Sequence, residues 1–297
     1  MLENFRLRVF RTAAEQRSFR KAGEQLYLTQ PAVTLQIKTL EEELGTKLLE
    51  RGAAGVTLTE AGRTLLGYAA KLGHLAEEAE NTLAQLKGET AGELVLGAST
   101  TIAQYVLPPR LAAFARRFPS LHLRVASENT ERIVEGVTSG RFGLGLIEGP
   151  PLSREVKVEP WFEDELVVVV PKTYEWAAHG SIPAASLLGV PLVMRERGSG
   201  SRHVIEAALQ KAGLRLGQLT IAMELDSSEA ILSCIEAGLG VGFASVWALN
   251  RRDLHQTLAP LRLEGQALTR SFSFALPTAP DLSAPAAALK RFLQSKA

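Results

Sequence analysis

The sequence predicts a protein of the α+β class, with a small helical module, one long helix and a larger region of alternating strands and helices. Three observations lead to this prediction. Apolar residues recur at helical spacing between capping residues in 1–58, and they repeat every seven residues in 59–88. In 89–297, short apolar runs alternate with amphipathic helical stretches. We therefore expect three domains with these bounds.

Composition narrows the class of protein. A chain of 297 residues with 46% hydrophobic and 22% charged residues fits an ordinary globular protein. The single cysteine, Cys234, excludes an internal disulfide, and its apolar neighbours predict buried packing rather than redox sensing. No apolar run is long enough to cross a bilayer and no signal-peptide core is present, so we expect a cytoplasmic protein. The net charge of +1 gives no indication of a nucleic-acid partner.

Residues 1–58 are predicted to form short helices joined by tight turns. The expected N-caps are Ser18 and Thr29. The helix after the second cap has Pro31 in its first turn and ends at Gly45. Its apolar residues recur at helical spacing and should be buried; they are Val33, Ile37, Leu40 and Leu44. The next segment, KLLERGAAGVTL (47–58), has glycines between two short apolar runs, which predicts a β-hairpin.

The long second part has a heptad pattern. Apolar residues lie seven apart, and a second set is interleaved with them. The first set is Leu65, Leu72, Ala79 and Leu86, and the second is Tyr68, Leu75 and Thr82. This pattern predicts a coiled-coil seam that joins two copies of the chain. A surface helix packed on its own domain is the alternative. We prefer the seam because both neighbouring parts are separate domains, which leaves the stripe no obvious partner within the chain.

The third part alternates strands and helices. Strands are predicted at 93–97, 121–125, 142–147, 165–170, 191–194, 219–225 and 241–245, with a return strand near 270–277. This rhythm predicts parallel sheets with crossover helices, and the four successive valines suit a strand buried on both faces. The Pro-rich segment EGPPL and the return strand predict two lobes between which the chain crosses twice. Lobe I is expected at about 92–161 and 268–297, and lobe II at about 162–267.

One face of the predicted helix after Thr29 is suited to a DNA groove. If the apolar residues point inward, the opposite face presents Gln30, Pro31, Thr34, Leu35 and Lys38. A helix fits the major groove, where a glutamine amide can pair with adenine and a threonine methyl group can touch thymine. Arg20 and Lys21, at the start of the preceding helix, could contact phosphates. The alternative is that these residues form an ordinary solvated helix face.

The segments at 18–51 and 56–62 resemble the helix-turn-helix of LysR-type transcriptional regulators. The matching positions are Ser18, Phe19, Ala22, Leu26, Gln30, Pro31, Ala32, Val33, Gln36, Ile37, Leu40, Glu41, Leu44, Gly45, Arg51, Leu58, Thr59, Ala61 and Gly62. The resemblance implies an N-terminal winged helix-turn-helix, a long dimerisation helix and a two-lobed α/β effector domain like that of periplasmic binding proteins. The rest of the chain has the family's length and layout.

The resemblance also implies a function. Family members are cytoplasmic regulators that form homodimers through the long helix and often form homotetramers. They bind double-stranded promoter DNA and respond to a co-inducer held between the two lobes. The implied DNA-binding residues are Arg20, Lys21, Thr29, Gln30, Pro31, Thr34, Leu35, Lys38 and Arg51.

Some positions depart from the family pattern. Thr34 stands where serine is commonest, and Leu35 occupies a site that is often basic. Leu49 replaces a usual phenylalanine, and the segment GAAG (52–55) lacks the arginines frequent at the wing tip. We therefore do not expect strong minor-groove contact by the wing, which leaves Arg51 as its main candidate.

Polar side chains follow three predicted strands where each gives way to a helix. They are Ser99, Thr100, Thr101, Asn129, Thr130, Ser199 and Ser201, with Arg202 beside the last. Helix N-termini offer unpaired N–H groups, and ligands of open α/β sheets bind at the carboxyl ends of the strands. Each turn alone is more simply an N-cap, but three at strand ends favour a small-anion effector site. The segment RERGSGSR (195–202) also resembles a motif of family members that regulate sulfur or carbon assimilation.

Other classes of protein fit less well. The SFRK segment at 18–21 matches the S-x-x-K nucleophile pattern, but it opens a helix of the predicted DNA-binding module and has no SDN or KTG partner. The histidines have no metal-binding spacing, and no Walker loop is present. We expect no catalytic residues, no metal and no cofactor. A plain solute-binding protein would explain two lobes, but it would carry a secretion signal and no helix-turn-helix.

Overall fold

The fold is described from a computed structural model that covers residues 2–52, 55–86, 92–151, 153, 155–250, 256–278 and 282–295. It divides into two compact units. The first contains Met1–Gly92, and the second contains most of the rest of the chain. Helices and strands are both abundant, which confirms the α+β class. Within the described residues, no helix has the length and apolarity needed to span a bilayer.

The first unit is a winged helix-turn-helix followed by a long helix. Its elements are α1 (Phe5–Gln16), α2 (Phe19–Leu26), α3 (Gln30–Leu44), β1 (Leu49–Gly52), β2 (Gly55–Leu58) and α4 (Glu60–Leu86). Strands β1 and β2 pair antiparallel, so the predicted hairpin is confirmed. The Ser18 hydroxyl accepts from the Lys21 N–H at 3.3 Å, and the Thr29 hydroxyl accepts from the Ala32 N–H at 3.4 Å. Both predicted N-caps are therefore confirmed.

The core of the first unit lies where α1, α2, α3 and the hairpin meet. Val33, Ile37 and Leu40 are buried as predicted. Leu44 is 49% exposed, so its predicted burial is wrong. It is the last residue of α3, where the apolar stripe continues beyond the packed core. Gly45 ends the helix with a φ of +65°, a left-handed conformation that glycine adopts without strain.

Helix α4 presents large apolar side chains to solvent. Tyr68, Leu72 and Leu75 are 62%, 50% and 60% exposed. Their i, i+4, i+7 spacing places them on one face, which we call the α4 stripe. Leu65 differs from them because it packs against the core of its own unit. The predicted heptad positions Thr82 and Leu86 have side chains outside the described part of the structure.

The second unit alternates strands and helices. Its strands are β3 (Gly92–Ser99), β4 (Leu121–Glu128), β5 (Leu144–Glu148), β6 (Lys157–Pro171), β7 (Ser181–Ile182), β8 (Pro191–Arg195), β9 (Thr220–Leu225), β10 (Val241–Ser245), β11 (Leu258–Leu263) and β12 (Thr269–Leu276). Its α-helices are α5 (Leu107–Arg117), α6 (Thr130–Thr138), α7 (Gly200–Lys211), α8 (Ser228–Glu236), α9 (Val246–Asn250) and α10 (Ala284–Gln294). A π-helical turn, Ile102–Val106, precedes α5, and 3₁₀ turns lie at Glu175–Ala178, Ala184–Leu187 and Leu216–Gln218. The sequence prediction missed β7 and β11.

The sheet is mixed, so the prediction of parallel sheets holds only in part. Its order is β4-β3-β5-β12-β6-β10-β8-β9, with β11 also on β6 and β7 on β11. Pairs β3–β5, β8–β9 and β8–β10 are parallel. Strand β6 pairs antiparallel with β12, β10 and β11. The first half of β6 pairs with β12, and its second half pairs with β10 and β11.

The four valines of β6 are buried on both faces of the sheet. Val168 and Val170 pack in one apolar cluster, whereas Val167 and Val169 pack in another. Successive side chains of a strand point to opposite faces, so an unbroken apolar run needs cover on both sides. The predicted double burial is confirmed. Cys234 is a half-buried free thiol against the second of these clusters.

Candidate DNA interface and ligand site

The groove-facing stripe predicted on α3 points outward. Gln30, Pro31 and Lys38 are exposed, Leu35 is 60% exposed, and Thr34 is half-buried. The buried face of the same helix holds it against the core, so the outward side chains stand on a fixed support. This face therefore has the shape and chemistry to enter a major groove.

The positive groups near this face are exposed side chains. Arg20 pairs with Glu24 at 2.7 Å, and Lys38 lies 3.5 Å from Glu42. Exposed pairs of this kind contribute less than about 1 kcal/mol, so both cations can exchange their partner for a phosphate. Lys21 is exposed, and Thr29 is exposed while it caps α3. Arg51 lies in β1, but its side chain is outside the described part of the structure.

A buried carboxylate joins α3 to the hairpin, and the sequence prediction gave it no role. Glu41 accepts the backbone N–H groups of Leu48 and Leu49 at 2.8 and 3.2 Å, and Lys47 Nζ at 2.7 Å. Burial by itself would raise the pKa of Glu41, but these hydrogen bonds outweigh burial and lower it. Glu41 therefore stays ionised and fixes the hairpin relative to α3. In the sequence, the one indication of this role was that a charged residue directly follows Leu40, which was predicted to be buried.

In the second unit, four of the eight predicted effector residues lie against one buried glutamate. Glu148, at the end of β5, is 1% exposed. Its Oε1 accepts the N–H groups of Thr101 and Ile102 at 2.7 and 3.3 Å, and its Oε2 accepts the Ser201 hydroxyl at 3.0 Å. The helix start that was predicted to bind an anion is thus occupied by an anion of the protein itself.

Arg270, at the start of β12, is the counter-ion of this carboxylate. Its guanidinium donates to Glu148 at 2.5 Å and to Asp164 at 2.7 Å. It also donates to the hydroxyls of Ser201 at 2.5 Å and Thr101 at 3.2 Å. The Arg270 side chain is fully buried. We call Glu148, Asp164, Arg270, Ser201 and Thr101 the Glu148 network.

The two carboxyl groups of this network have pKa values shifted in opposite directions. Burial alone would raise the pKa of Glu148, but Arg270 and Arg195 outweigh burial and hold that pKa below its ordinary value. Burial raises the pKa of Asp164 even though Arg270 lies beside it. The surroundings as a whole therefore favour the charged form of Glu148 and disfavour the charged form of Asp164.

The other predicted residues lie around the same strand ends. Thr100 accepts from Arg195 Nη2 at 2.8 Å, and the Thr130 hydroxyl donates to the Glu148 carbonyl at 3.1 Å. Ser199 is buried at the start of α7, but its hydroxyl makes no capping bond. Ser99 is also buried; its hydroxyl lies near Glu148 and has no partner at hydrogen-bonding geometry among the described residues.

Two predicted residues have structural partners. Asn129 donates to the Arg197 carbonyl at 3.3 Å and accepts the Arg132 N–H at 3.0 Å, so it caps α6. The Arg202 guanidinium contacts Glu206 at 2.7 Å and Glu224 at 2.8 Å and donates to the Arg195 carbonyl. Their part in effector binding stays a prediction.

The sequence prediction missed the charged members of the site. Glu148 follows an apolar strand, Arg270 begins another, and Asp164 precedes the four valines. Charged residues at the ends of buried strands were the available signal, because a charge rarely lies there without a partner. Arg195 belongs to the RERGSGSR segment, but the sequence prediction gave it no separate role. Within the described residues, no cluster of three metal-ligating side chains is present.

These features define a class of protein. A winged helix-turn-helix with an exposed polar recognition face is joined in one chain to an α/β unit with a buried polar site at its strand ends. That combination is a DNA-binding regulator with a ligand-sensing domain.

Comparisons with known proteins agree with this class. Residues 5–63 match the family described as "Bacterial regulatory helix-turn-helix protein, lysR family", and residues 87–297 match "LysR substrate binding domain". A RuBisCO operon transcriptional regulator of Allochromatium vinosum is 33% identical over 291 residues, which cover 98% of this chain and 95% of that protein. The chain belongs to the LysR family of transcription regulators and is not an enzyme. The expected resemblance to regulators of carbon or sulfur assimilation is confirmed.

Solved structures show the same fold. CbnR in complex with its target DNA superposes with a TM-score of 0.69 at 23% identity, covering 97% of this chain and 98% of that one. The regulatory domain of CcmR from Synechocystis PCC6803, in complex with 2-PG, has a TM-score of 0.62 at 24% identity and covers 68% of this chain and 95% of that one.

Proposed function

We propose that this chain is a cytoplasmic homodimer, able to form tetramers, that binds promoter DNA through α3 and responds to a small anion in its second unit. The proposed domains are the DNA-binding domain at 1–58, the dimerisation helix at 59–88 and the effector domain at 89–297. The outward face of α3, supported by its buried face, is the observation that carries the DNA-binding proposal. The DNA complex of the structurally similar CbnR supports it.

Within the DNA interface, we assign different roles to two groups of residues. Gln30 and Thr34 read base edges, because they lie on the outward face of the helix that would enter the groove. Arg20, Lys21 and Lys38 contact phosphates and position the helix. Base contacts determine sequence preference, whereas phosphate contacts contribute affinity that is independent of sequence.

Gln30→Ala should reduce affinity for the promoter by roughly 1–3 kcal/mol and leave binding to a random duplex nearly unchanged. Lys21→Ala should weaken binding to both duplexes equally, and it should lower the slope of log affinity against log salt concentration by about one. Dissociation constants on both duplexes at several salt concentrations test this. Gln25→Ala removes an exposed amide from the neighbouring helix and serves as the control. Equal losses on both duplexes for Gln30→Ala would contradict base reading.

We propose that the effector is a small anion bound at the strand ends beside the Glu148 network. Glu148 already occupies the N–H groups of Thr101 and Ile102, so the groups assigned to the effector are the Thr100 and Ser199 hydroxyls, with positive charge from Arg195. The Ser199 hydroxyl is not used to cap α7, which leaves it available to a ligand. The 2-PG complex of the CcmR regulatory domain supports an anionic ligand in this fold.

Such a ligand can regulate only if it binds one arrangement of the protein more tightly than another. Residues of the proposed site come from two strand ends, those of β3 and β8, which are far apart in the sequence. An anion that bridges them would favour the arrangement in which they lie closest together. That preference is the proposed source of the change in promoter binding.

Thr100→Val and Ser199→Ala should each weaken effector binding by about 1–3 kcal/mol, the scale of hydrogen bonds to a charged group. Titration calorimetry with 2-phosphoglycolate, phosphate and sulfate on the full chain measures this. Ser233→Ala, which removes an exposed hydroxyl on α8, is the matched control. Promoter binding without ligand should persist in all variants because α3 is unchanged. Unchanged affinity in both site variants for an anion that binds the unmodified chain would show that these turns serve only as helix termini.

A further inference from the structure

A cavity in the second unit is lined by residues that are not members of the Glu148 network. It has a volume of about 760 Å³ and is formed by the first two turns of α5, the first half of β6, α9 and the end of α10. Aromatic rings from three of these elements line it. They are Trp161 and Phe162 of β6, Trp247 of α9 and Phe292 of α10.

The cavity contains the positive charge of Arg110. The Arg110 guanidinium lies 5.4 Å from the centre of the Trp161 ring and 5.8 Å from those of Phe162 and Trp247. Its Nη1 donates to the Val106 carbonyl at 2.9 Å, and it forms no ion pair with any carboxylate in the described ranges of the chain. Burial lowers the pKa of Arg110, as expected of a cation that is partly withdrawn from water.

The aromatic walls are held in place. Trp161 packs edge-on against Phe162 with ring centres 4.6 Å apart, and its indole N–H donates to the Leu293 carbonyl at 3.0 Å. Phe162 in turn lies 5.7 Å from Trp247. A preformed aromatic cavity with one charged group is typical of small-molecule sites, because its walls lose little entropy when a ligand binds.

We propose that this cavity is a second ligand site, which takes an aromatic carboxylate. The guanidinium has five N–H donors, and a carboxylate can accept two of them side by side. The tryptophan and phenylalanine rings would stack on the aromatic part of the ligand. A neutral aromatic compound would leave Arg110 without a counter-ion, and a simple inorganic anion would leave the aromatic walls uncovered.

The test uses the full chain and 3-phenylpropanoate as the probe, with tryptophan emission as the readout. We expect a saturable change in emission, and affinity about ten- to a hundredfold lower for Arg110→Gln, the loss typical of a charged hydrogen-bonding partner. Arg116→Gln, on the exposed side of the same helix, should bind like the unmodified chain. The matched amide, 3-phenylpropanamide, should bind at least about tenfold more weakly than the acid.

Two further variants assign the signal to this cavity. Trp247→Phe should reduce the emission change and leave the part that Trp161 reports, whereas Trp176→Phe should preserve the whole change because Trp176 packs in a different cluster. Thr100→Val should bind the probe normally, which separates this site from the proposed anion site. The proposal is overturned if no saturable change occurs. It is also overturned if the folded Arg110→Gln variant binds the probe as tightly as the unmodified chain does, or if the amide binds as tightly as the acid. Loss of probe binding in Thr100→Val would overturn it as well.

Discussion

The double variant Leu72→Glu/Leu75→Glu is expected to be monomeric and to bind promoter DNA at least a hundredfold more weakly than the unmodified chain. Both leucines belong to the α4 stripe and are 50% and 60% exposed in the single chain. Burying a leucine contributes about 1.5–3 kcal/mol, and a symmetric interface buries each of them twice. Glutamates at these positions would instead bring like charges together in a dry seam. A monomer also loses the combined affinity of two linked DNA-binding heads.

Light scattering and promoter titrations on the same preparations measure both effects. Gly67→Glu is the matched control, because it adds a glutamate to α4 at a position with open space around it, off the stripe. This control should remain dimeric and bind the promoter normally. A double variant that stays dimeric would show that another surface holds the two chains together.

Arg270→Met is expected to destabilise the folded chain by about 3–5 kcal/mol at neutral pH, the usual cost of removing one partner of a buried ion pair. The substitution leaves Glu148 and Asp164 buried without their shared guanidinium. Urea unfolding followed by circular dichroism measures the change in free energy. Arg262→Met removes an exposed arginine that pairs with Glu165, and it should cost less than about 1 kcal/mol.

The pH dependence of this loss has a defined sign. The folded-state pKa of Glu148 is depressed, so its stabilising contribution is present above the unfolded-state pKa and is lost as pH falls through the folded-state value. Without Arg270, the buried carboxyl groups favour the protonated form, so the variant gains stability as pH falls. The difference in free energy of unfolding between the unmodified chain and Arg270→Met should therefore become smaller as pH falls.

Removing the charge of one of the two carboxylates left without Arg270 should recover part of the lost stability. Adding Glu148→Gln to Arg270→Met leaves one buried charge instead of two, so this double variant should be more stable than Arg270→Met alone. A loss below 1 kcal/mol for Arg270→Met, or no recovery in the double variant, would contradict the assigned role of the network.

The sequence by itself determined the features that depend on near neighbours. The N-caps at Ser18 and Thr29 and the end of α3 at Gly45 each involve residues within one helical turn. The two faces of α3 and the double burial of the β6 valines follow from the periods of helix and strand. These features were predictable because their dominant energies are local and are expressed as spacing along the chain.

The tertiary structure alone decided which groups meet. Glu148 and Arg270 are 122 positions apart, and Ser201 and Arg270 are 69 apart, so no local pattern joins them. They meet because β12 returns antiparallel between β5 and β6, a pairing that the alternation of strands and helices did not reveal. The hydroxyls at the strand ends were identifiable from sequence, but their partners were not. Hydrogen bonds and ion pairs between distant segments form only where the sheet order brings those segments together, and that order depends on the packing of the whole domain.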